Sequence, residues 1–276
     1  MRRTAEELLE AGYYYAACSD AHRVADLDEV SRGIDRLIEL AGKDEAAFNA
    51  YQNIIQKYPK SAEYEDVLWR QYEIASRFLH GQLFKLWGYI PLYTSMDQTA
   101  KMFDKIVDNG PYGDVAPHAQ LRIGAAREKQ KDYAEAVKAY ETAADRYHNQ
   151  PVIAADALYR EGIAYQKQAS TAEYDQGTAA QAIAAYTDFK TLFPDDKRVP
   201  DAEKAIVALK AQQVEGNFKV AQFYEQNKVL NAEQRRDGAR VYYNQVLQLD
   251  PNSPYAAQAK QRIAQLNARV PAPPAH

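Results

Sequence analysis

Residues 116–151, APHAQLRIGAAREKQKDYAEAVKAYETAADRYHNQP, give the clearest indication of the fold. Small or apolar residues recur on both sides of a turn at residues 131–132, first at Leu121, Gly124, Ala125 and Ala126 and then at Ala136, Tyr140, Ala143 and Tyr147. Their spacings put each set on one face of a helix. Gly124 and Ala136 are small where two helices must come close, and Tyr140 fills the space beside them. We therefore expect two antiparallel helices that complete their shared face by stacking on neighbouring pairs.

The second-helix pattern recurs along the chain. A small residue, an aromatic residue four positions later and an apolar residue three positions after that occur five times, as Ala47-Tyr51-Ile54, Thr99-Phe103-Ile106, Ala136-Tyr140-Ala143, Ala182-Tyr186-Phe189 and Ala239-Tyr243-Val246. Proline, which cannot continue a helix, follows each copy, at Pro59, Pro111, Pro151, Pro194 and Pro251. This pattern is typical of tetratricopeptide repeats. It predicts an all-α fold, a tetratricopeptide-repeat α-solenoid that forms a right-handed superhelix of about five helix pairs.

The copies are spaced more widely than the roughly 34 residues of a standard repeat. The surplus must lie in loops or lengthened helices, and three regions hold it: residues 81–95, residues 170–178 and the surroundings of the long pattern at 200–227. We predict N-terminal helices and an extra repeat with an aromatic insertion over residues 1–93. Further tetratricopeptide repeats follow over residues 94–269, and a disordered Pro/Ala-rich tail over residues 270–276.

Composition excludes several classes of protein. With 46% hydrophobic and 26% charged residues, the 276-residue chain has an ordinary globular composition. Its net charge of −4 argues against nucleic-acid binding. No apolar run is long enough to span a membrane. A single cysteine, Cys18, excludes an intramolecular disulfide and a multi-cysteine zinc site, and we expect it to be a buried thiol.

No catalytic constellation is visible in the sequence. The five histidines are scattered, and neither a nucleophile motif nor a phosphate-binding glycine loop occurs. Asp195 and Asp196 are interpreted as a cap for the helix that begins near Pro200, with a buried acid pair as the alternative. We therefore predict no catalytic residue, no metal ligand, no cofactor and no enzymatic activity.

The first helices of three repeats place large side chains at matching positions. In a tetratricopeptide superhelix these helices line the concave groove, where aromatic side chains anchor an extended peptide. The alternative is that the same side chains pack against the next repeat. An arginine follows each position, to pair with a ligand carboxylate or to form a salt bridge within the protein. The candidate groove residues are Trp69, Arg70, His118, Leu121, Arg122, Tyr159, Arg160 and Ile163.

The insertion at residues 83–93, LFKLWGYIPLY, is rich in aromatic residues. It is too short and too interrupted to span a bilayer. Phe84, Trp87 and Tyr89 mark it either as a partner site or membrane-interface contact, or as a segment that folds under the solenoid and fills the space between repeats.

Several segments resemble the BamD/ComL/YfiO lipoprotein family. They are residues 110–124, GPYGDVAPHAQLRIG, residues 182–194, AIAAYTDFKTLFP, residues 220–224, VAQFY, and residues 242–259, YYNQVLQLDPNSPYAAQA. The resemblance covers roughly residues 95–266. It implies a non-enzymatic lipoprotein scaffold on the periplasmic face of the outer membrane, within the β-barrel assembly machinery. It further implies that residues 216–266, including Phe223 and Tyr224, dock on the barrel-forming subunit, while the groove around Leu121 and Tyr159 receives unfolded outer-membrane proteins.

Three features set this chain apart from the family pattern. It has an additional repeat before residue 95, its final repeat is expected to stop after one helix at residues 254–268, and its lipidated cysteine is not identifiable. Residues 16–18, AAC, resemble the end of a lipoprotein signal, but the preceding segment carries Glu6, Glu7 and Glu10 and has no apolar core. Membrane association is therefore expected only through a lipid anchor that this stretch does not reveal. The alternatives are another periplasmic tetratricopeptide adaptor of the Tol-Pal-associated type, a generic peptide-binding repeat protein and, in another class, an all-α enzyme.

Overall fold

The computed structural model describes residues 44–59, 64–86, 90–171 and 176–268. These residues form ten α-helices and one two-stranded hairpin, and the chain divides into two compact units, Met1–Ala157 and Leu158–His276. The expected helices before residue 42, Cys18 and the tail at 270–276 lie outside the described residues. The boundary proposed at residue 93 stays a prediction. None of the described helices combines the length and apolarity needed to cross a membrane.

The first unit is built from consecutive helices that pack on their neighbours in the chain. It also contains the start of α6, which continues into the second unit. The elements are α1 (Asp44–Lys57), α2 (Tyr64–Leu79), β1 (Phe84–Leu86), β2 (Ile90–Tyr93), α3 (Met96–Asn109), α4 (Ala116–Lys129), α5 (Tyr133–Arg146) and α6 (Pro151–Thr171). The predicted turn between α4 and α5 is present. Lys131 adopts a left-handed φ of 63°, and the Asp132 side chain accepts a hydrogen bond from the Glu135 backbone and caps α5.

The second unit continues the series with α7 (Gln176–Leu192), α8 (Val199–Gln226), α9 (Ala232–Leu249) and α10 (Ala256–Ala268). Its surplus sequence lies largely in lengthened helices, since α8 alone has 28 residues. Residues 232–238, which the repeat spacing assigned to an insertion, are the first turns of α9. Asn231 and Gln234 form a reciprocal capping box there. That signal was present in the sequence as Asn-x-x-Gln.

The predicted triads form the core of both units. Every member of the five triads is buried. The close contact predicted between Gly124 and Tyr140 is present, because a Cβ built on Gly124 would lie 2.4 Å from Cε1 of Tyr140. Gly162 has the same relation to Tyr186, at 2.7 Å. A side chain at either position would overlap a buried ring, so glycine sets the closest approach of the paired helices.

The buried tyrosines also satisfy their hydroxyl groups in a repeated way. Tyr140 donates to Glu128 at 2.5 Å and Tyr186 donates to Gln166 at 2.9 Å. Each acceptor lies one helical turn after the glycine against which the ring packs. Tyr243 likewise donates to Glu225, one turn after Ala221, at 2.7 Å. Since an unsatisfied buried hydroxyl is costly, this acceptor is part of the repeat and was not recognised from the sequence.

The aromatic insertion forms a β-hairpin, an element that the helical pattern did not predict. β1 and β2 pair antiparallel, with an irregularity between Phe84 and Lys85. Phe84 is buried and stacks on Phe78 of α2, with ring centroids 4.2 Å apart. The hairpin is thereby attached to the core through its first residue.

Candidate protein-binding surfaces

An aromatic cluster in the first unit gathers several of the predicted groove residues. Trp69 and Tyr72 lie one turn apart on α2, and their rings meet edge to face at 5.4 Å. His118 on α4 lies 5.6 Å from the Trp69 ring and 6.5 Å from that of Tyr72. Arg122, one turn further along α4, donates from Nε to the Tyr72 hydroxyl at 3.0 Å. We call Trp69, Tyr72, His118 and Arg122 the ring cluster.

The ring cluster is rooted in the core and open at its surface. Trp69 and Tyr72 are partly buried against the core of the unit, whereas His118 is exposed. Trp69 therefore packs against the next helix pair, as one interpretation expects, and keeps part of its surface accessible. Leu121, with 8% exposed, is a core residue in this unit. Arg70 is half-buried and is engaged within the protein.

Tyr159 occupies the matching position in the second unit, where a cation covers it. The Arg198 guanidinium carbon lies 4.9 Å from the centre of the Tyr159 ring and 5.4 Å from that of Phe189. Tyr159 also contacts Phe189 at 5.2 Å between centroids. Arg160 and Ile163 are half-exposed beside it, and Arg160 is engaged within the protein.

Asp196 holds Arg198 in this position. Its carboxylate accepts from Arg198 Nε at 2.9 Å and from Nη2 at 2.8 Å, and it also accepts from the Arg198 backbone. These hydrogen bonds lower the pKa of Asp196. The prediction that Asp195 and Asp196 cap α8 is therefore wrong. The N-cap of α8 is Arg198, which makes no side-chain capping bond, and Asp196 orients the arginine instead.

Phe223 and Tyr224, the predicted docking residues, lie near the end of α8. Phe223 is 62% exposed, while Tyr224 is half-buried and stacks on Tyr242 of α9 at 5.5 Å. The two rings meet edge to face at 6.2 Å. Gly238 allows this arrangement, because a Cβ there would lie 2.3 Å from the Tyr224 ring. Tyr224 thus packs against the ring of the exposed Phe223.

The sequence suggested one role for the whole aromatic insertion, but its described residues differ in exposure. Phe84 points into the core, as described above, whereas Leu83 and Tyr93 at the hairpin's ends are exposed. Trp87 and Tyr89 lie outside the described residues. No group of three or more His, Cys, Asp or Glu side chains able to hold a metal occurs in the described part of the chain.

Comparison with known protein families decides the affiliation. The family described as YfiO, outer membrane lipoprotein, matches residues 93–246, which is more than half of the chain. The chain belongs to the YfiO family of outer membrane lipoproteins. A tetratricopeptide-repeat family matches residues 35–61, so the predicted tetratricopeptide fold is confirmed.

Other comparisons add little to the YfiO affiliation. A similar solved structure is the C-terminal part of a TPR repeat-containing protein from Cytophaga hutchinsonii. It is 16% identical, the match covers 92% of this chain and 84% of that one, and the TM-score is 0.40. No curated protein matches the chain.

The YfiO match covers the surfaces unevenly. It includes His118 and Arg122 of the ring cluster, Tyr159, and the pair Phe223–Tyr224. Trp69 lies before it, on the helix pair that the sequence identified as an addition to the family pattern. The ring cluster therefore combines residues inside the YfiO match with residues that precede it.

Tyr112 is an exposed aromatic residue that the sequence analysis missed. It is 92% exposed, at the tip of the turn between α3 and α4. Gly113 donates to the Gly110 carbonyl at 3.0 Å, and the Tyr147 hydroxyl donates to that of Pro111 at 3.1 Å. Burial raises the pKa of Tyr147. The sequence Gly-Pro-Tyr-Gly is typical of a turn between two helices, and a side chain in such a turn is expected to be exposed.

Proposed function

We propose that this YfiO-family protein is a non-enzymatic scaffold of the outer-membrane β-barrel assembly machinery. In this role it binds the barrel-forming subunit and unfolded outer-membrane proteins from the periplasmic face of the membrane. The YfiO match supports the outer-membrane role, and the ring cluster is the observation that supports polypeptide binding. It combines a tryptophan, a tyrosine and an arginine, the residue types that dominate binding energy at interfaces, with an exposed histidine.

The ring cluster suits an extended segment with aromatic side chains and a carboxylate. Trp69 and His118 offer ring surfaces, and Arg122 adds a guanidinium whose orientation is fixed by Tyr72. Because Trp69 and Tyr72 are already held by the core, binding orders few side chains. These features favour capture of an unfolded polypeptide over catalysis.

Phe223 is the proposed contact for the barrel-forming subunit. Its exposed ring is the kind of apolar anchor that a partner pocket covers, and Tyr224 fixes its direction through the stack on Tyr242. The assignment of this segment rests on the family resemblance, and its exposure in the second unit supports it.

Binding measurements with two partners test the proposal. For substrate capture, a synthetic peptide from an outer-membrane protein is titrated against the full chain, and Trp69→Ala combined with His118→Ala is expected to weaken binding by at least about tenfold. Tyr112→Ala, another exposed aromatic change in the same unit, is the control and leaves the affinity unchanged. Equal affinity for all three proteins would contradict the role of the ring cluster. Leu121→Ala is unsuitable for this test, because Leu121 is buried and shortening its side chain would also affect folding.

For docking, the periplasmic domain of the barrel-forming subunit is co-purified with the chain in mild detergent. Phe223→Ala is expected to reduce recovery strongly, because it removes the exposed anchor. Val207→Ala, at a residue of the same unit that lies outside residues 216–266 and is 68% exposed, is the control. Failure of the unmodified chain to co-purify would refute membership of the assembly machinery, and would favour a different periplasmic adaptor.

A further inference from the structure

Gly110 follows the last residue of α3 and lies close to the core. A Cβ at Gly110 would lie 2.8 Å from Cδ1 of Leu68, which is fully buried on α2. The Gly110 backbone also closes α3, donating to the Ile106 carbonyl at 3.2 Å. The residue before it is Asn109. An Asn-Gly dipeptide therefore lies at the junction of α1, α2 and α3.

Asn-Gly is the dipeptide most prone to deamidation, because glycine has no side chain to hinder attack by its own nitrogen. The Gly110 nitrogen bonds to Cγ of Asn109 and loses its proton to solvent. The amide leaves as ammonia with a proton taken from solvent, and a cyclic imide remains. Water then opens the ring at either carbonyl, giving aspartate or isoaspartate. The reaction needs a Gly110 nitrogen free of its hydrogen bond and an Asn109 side chain free to turn toward it.

The structure restrains both groups. The amides of Asn109 and Gln52 bond to each other in both directions, at 2.9 and 3.1 Å. Gln71, which is buried, donates to Gln52 at 3.1 Å and holds it in place. The Tyr64 hydroxyl donates to the Asn109 carbonyl at 2.8 Å, and the Gly110 nitrogen is occupied by Ile106. Four hydrogen bonds made by Asn109 and Gly110 themselves therefore oppose the geometry of attack, and the bond from Gln71 supports them.

We infer that Asn109 is a latent deamidation site whose reaction is blocked in the folded chain by the amide pair with Gln52 and by the hydrogen bond from the Tyr64 hydroxyl. The block is lifted when the end of α3 opens. The product is not neutral for the fold. A carboxylate at position 109 cannot donate to Gln52 and adds a charge beside Asp108, and isoaspartate lengthens the backbone by one carbon. Reaction therefore uncouples α3 from α1 and marks chains that have opened there.

Peptide mapping by mass spectrometry of the full chain, incubated at mildly alkaline pH, tests this inference. Native protein is expected to react at Asn109 far more slowly than protein unfolded in urea. Gln52→Leu is expected to accelerate the native reaction by about tenfold, because it removes the paired hydrogen bonds. Tyr64→Phe, which deletes only a hydroxyl group, is expected to accelerate it by a smaller factor.

Two control variants separate local from global opening. Gln56→Leu changes an exposed glutamine on α1. Gln120→Leu removes a buried amide that donates to the Ala139 carbonyl at 3.1 Å, away from Asn109. Both are expected to react at the native rate. Equal deamidation rates in native and unfolded protein would overturn the inference. So would a native rate in both Gln52→Leu and Tyr64→Phe, or an acceleration by Gln120→Leu equal to that by Gln52→Leu. If Gln52→Leu does not fold, Tyr64→Phe decides.

Discussion

Replacing Gly124 by alanine tests the glycine–tyrosine contact on which the repeat is built. The new Cβ would lie 2.4, 2.6 and 2.7 Å from three atoms of the Tyr140 ring. The ring cannot withdraw easily, because Tyr140 is fully buried and its hydroxyl is bonded to Glu128. The helices must therefore separate, or the ring must leave its rotamer.

The expected free-energy change has two opposing parts. Alanine is favoured over glycine in a helix interior by about 1 kcal/mol. Overpacking a close-packed core costs about 1–3 kcal/mol, and an overlap this deep with a confined ring belongs at the upper end. The net destabilisation is then about 2 kcal/mol. For a unit of this size, that corresponds to a fall in melting temperature of roughly 4–8 °C.

Chemical denaturation, together with hydrogen exchange of the α4 and α5 amides, measures the effect. Gly238→Ala is the matched control. Its Cβ would come even closer to a ring, at 2.3 Å, but Tyr224 is half-exposed and can move aside. We expect a much smaller loss there, since confinement and not proximity decides the cost.

A double-mutant cycle completes the test. In the presence of Tyr140→Leu, the Gly124→Ala change should cost less than in the wild-type background, because the smaller side chain leaves room for the methyl group. If Gly124→Ala is as stable as the parent, or if the two changes add independently, the close approach does not govern packing and the reasoning is refuted.

Three further changes probe polar groups. Tyr243→Phe is expected to lower the free energy of unfolding by about 1–2 kcal/mol, because it deletes a hydroxyl bonded to the Glu225 carboxylate; unchanged stability in urea would contradict this. Glu65→Gln should stabilise the protein at neutral pH, because burial and the charge of Asp114 raise the Glu65 pKa above 4.5; thermal melts should show the gain shrinking as pH falls through the raised pKa and vanishing below 4.5, and a gain independent of pH would rule out this cause. Asn217→Leu should raise the unfolding free energy by about 1 kcal/mol, because Asn217 is buried and its Oδ1 has no hydrogen-bond partner among the described residues; a loss of stability would mean that the amide is satisfied.

Much of the fold was predictable because helix periodicity is a local property. The spacing of small, aromatic and apolar residues correctly identified the buried face of five helices, and the prolines marked their ends. The YfiO affiliation also followed from the order of short motifs. Of the candidate site, the sequence named Trp69, His118 and Arg122 among the groove residues, and the structure brings these three together in the first unit; their role in binding stays a prediction.

What escaped the sequence depends on distances between residues that are far apart in the chain. Tyr72 joins the ring cluster because Arg122 reaches it from α4, fifty residues away. Arg198 covers Tyr159, although nothing in either helix pattern relates them. The hairpin of the aromatic insertion was not predicted, because its pairing depends on contacts between strands and not on a helical period.

The positions of the helices and the faces that they bury could be predicted from the chain alone, because a period of 3.6 residues is visible in consecutive positions. Which large side chains remain accessible, and which polar groups find partners, depends on the packing of the helices in three dimensions. Both outcomes are set by the closest approach of neighbouring helices, which glycines such as Gly124 permit and buried rings such as Tyr140 limit.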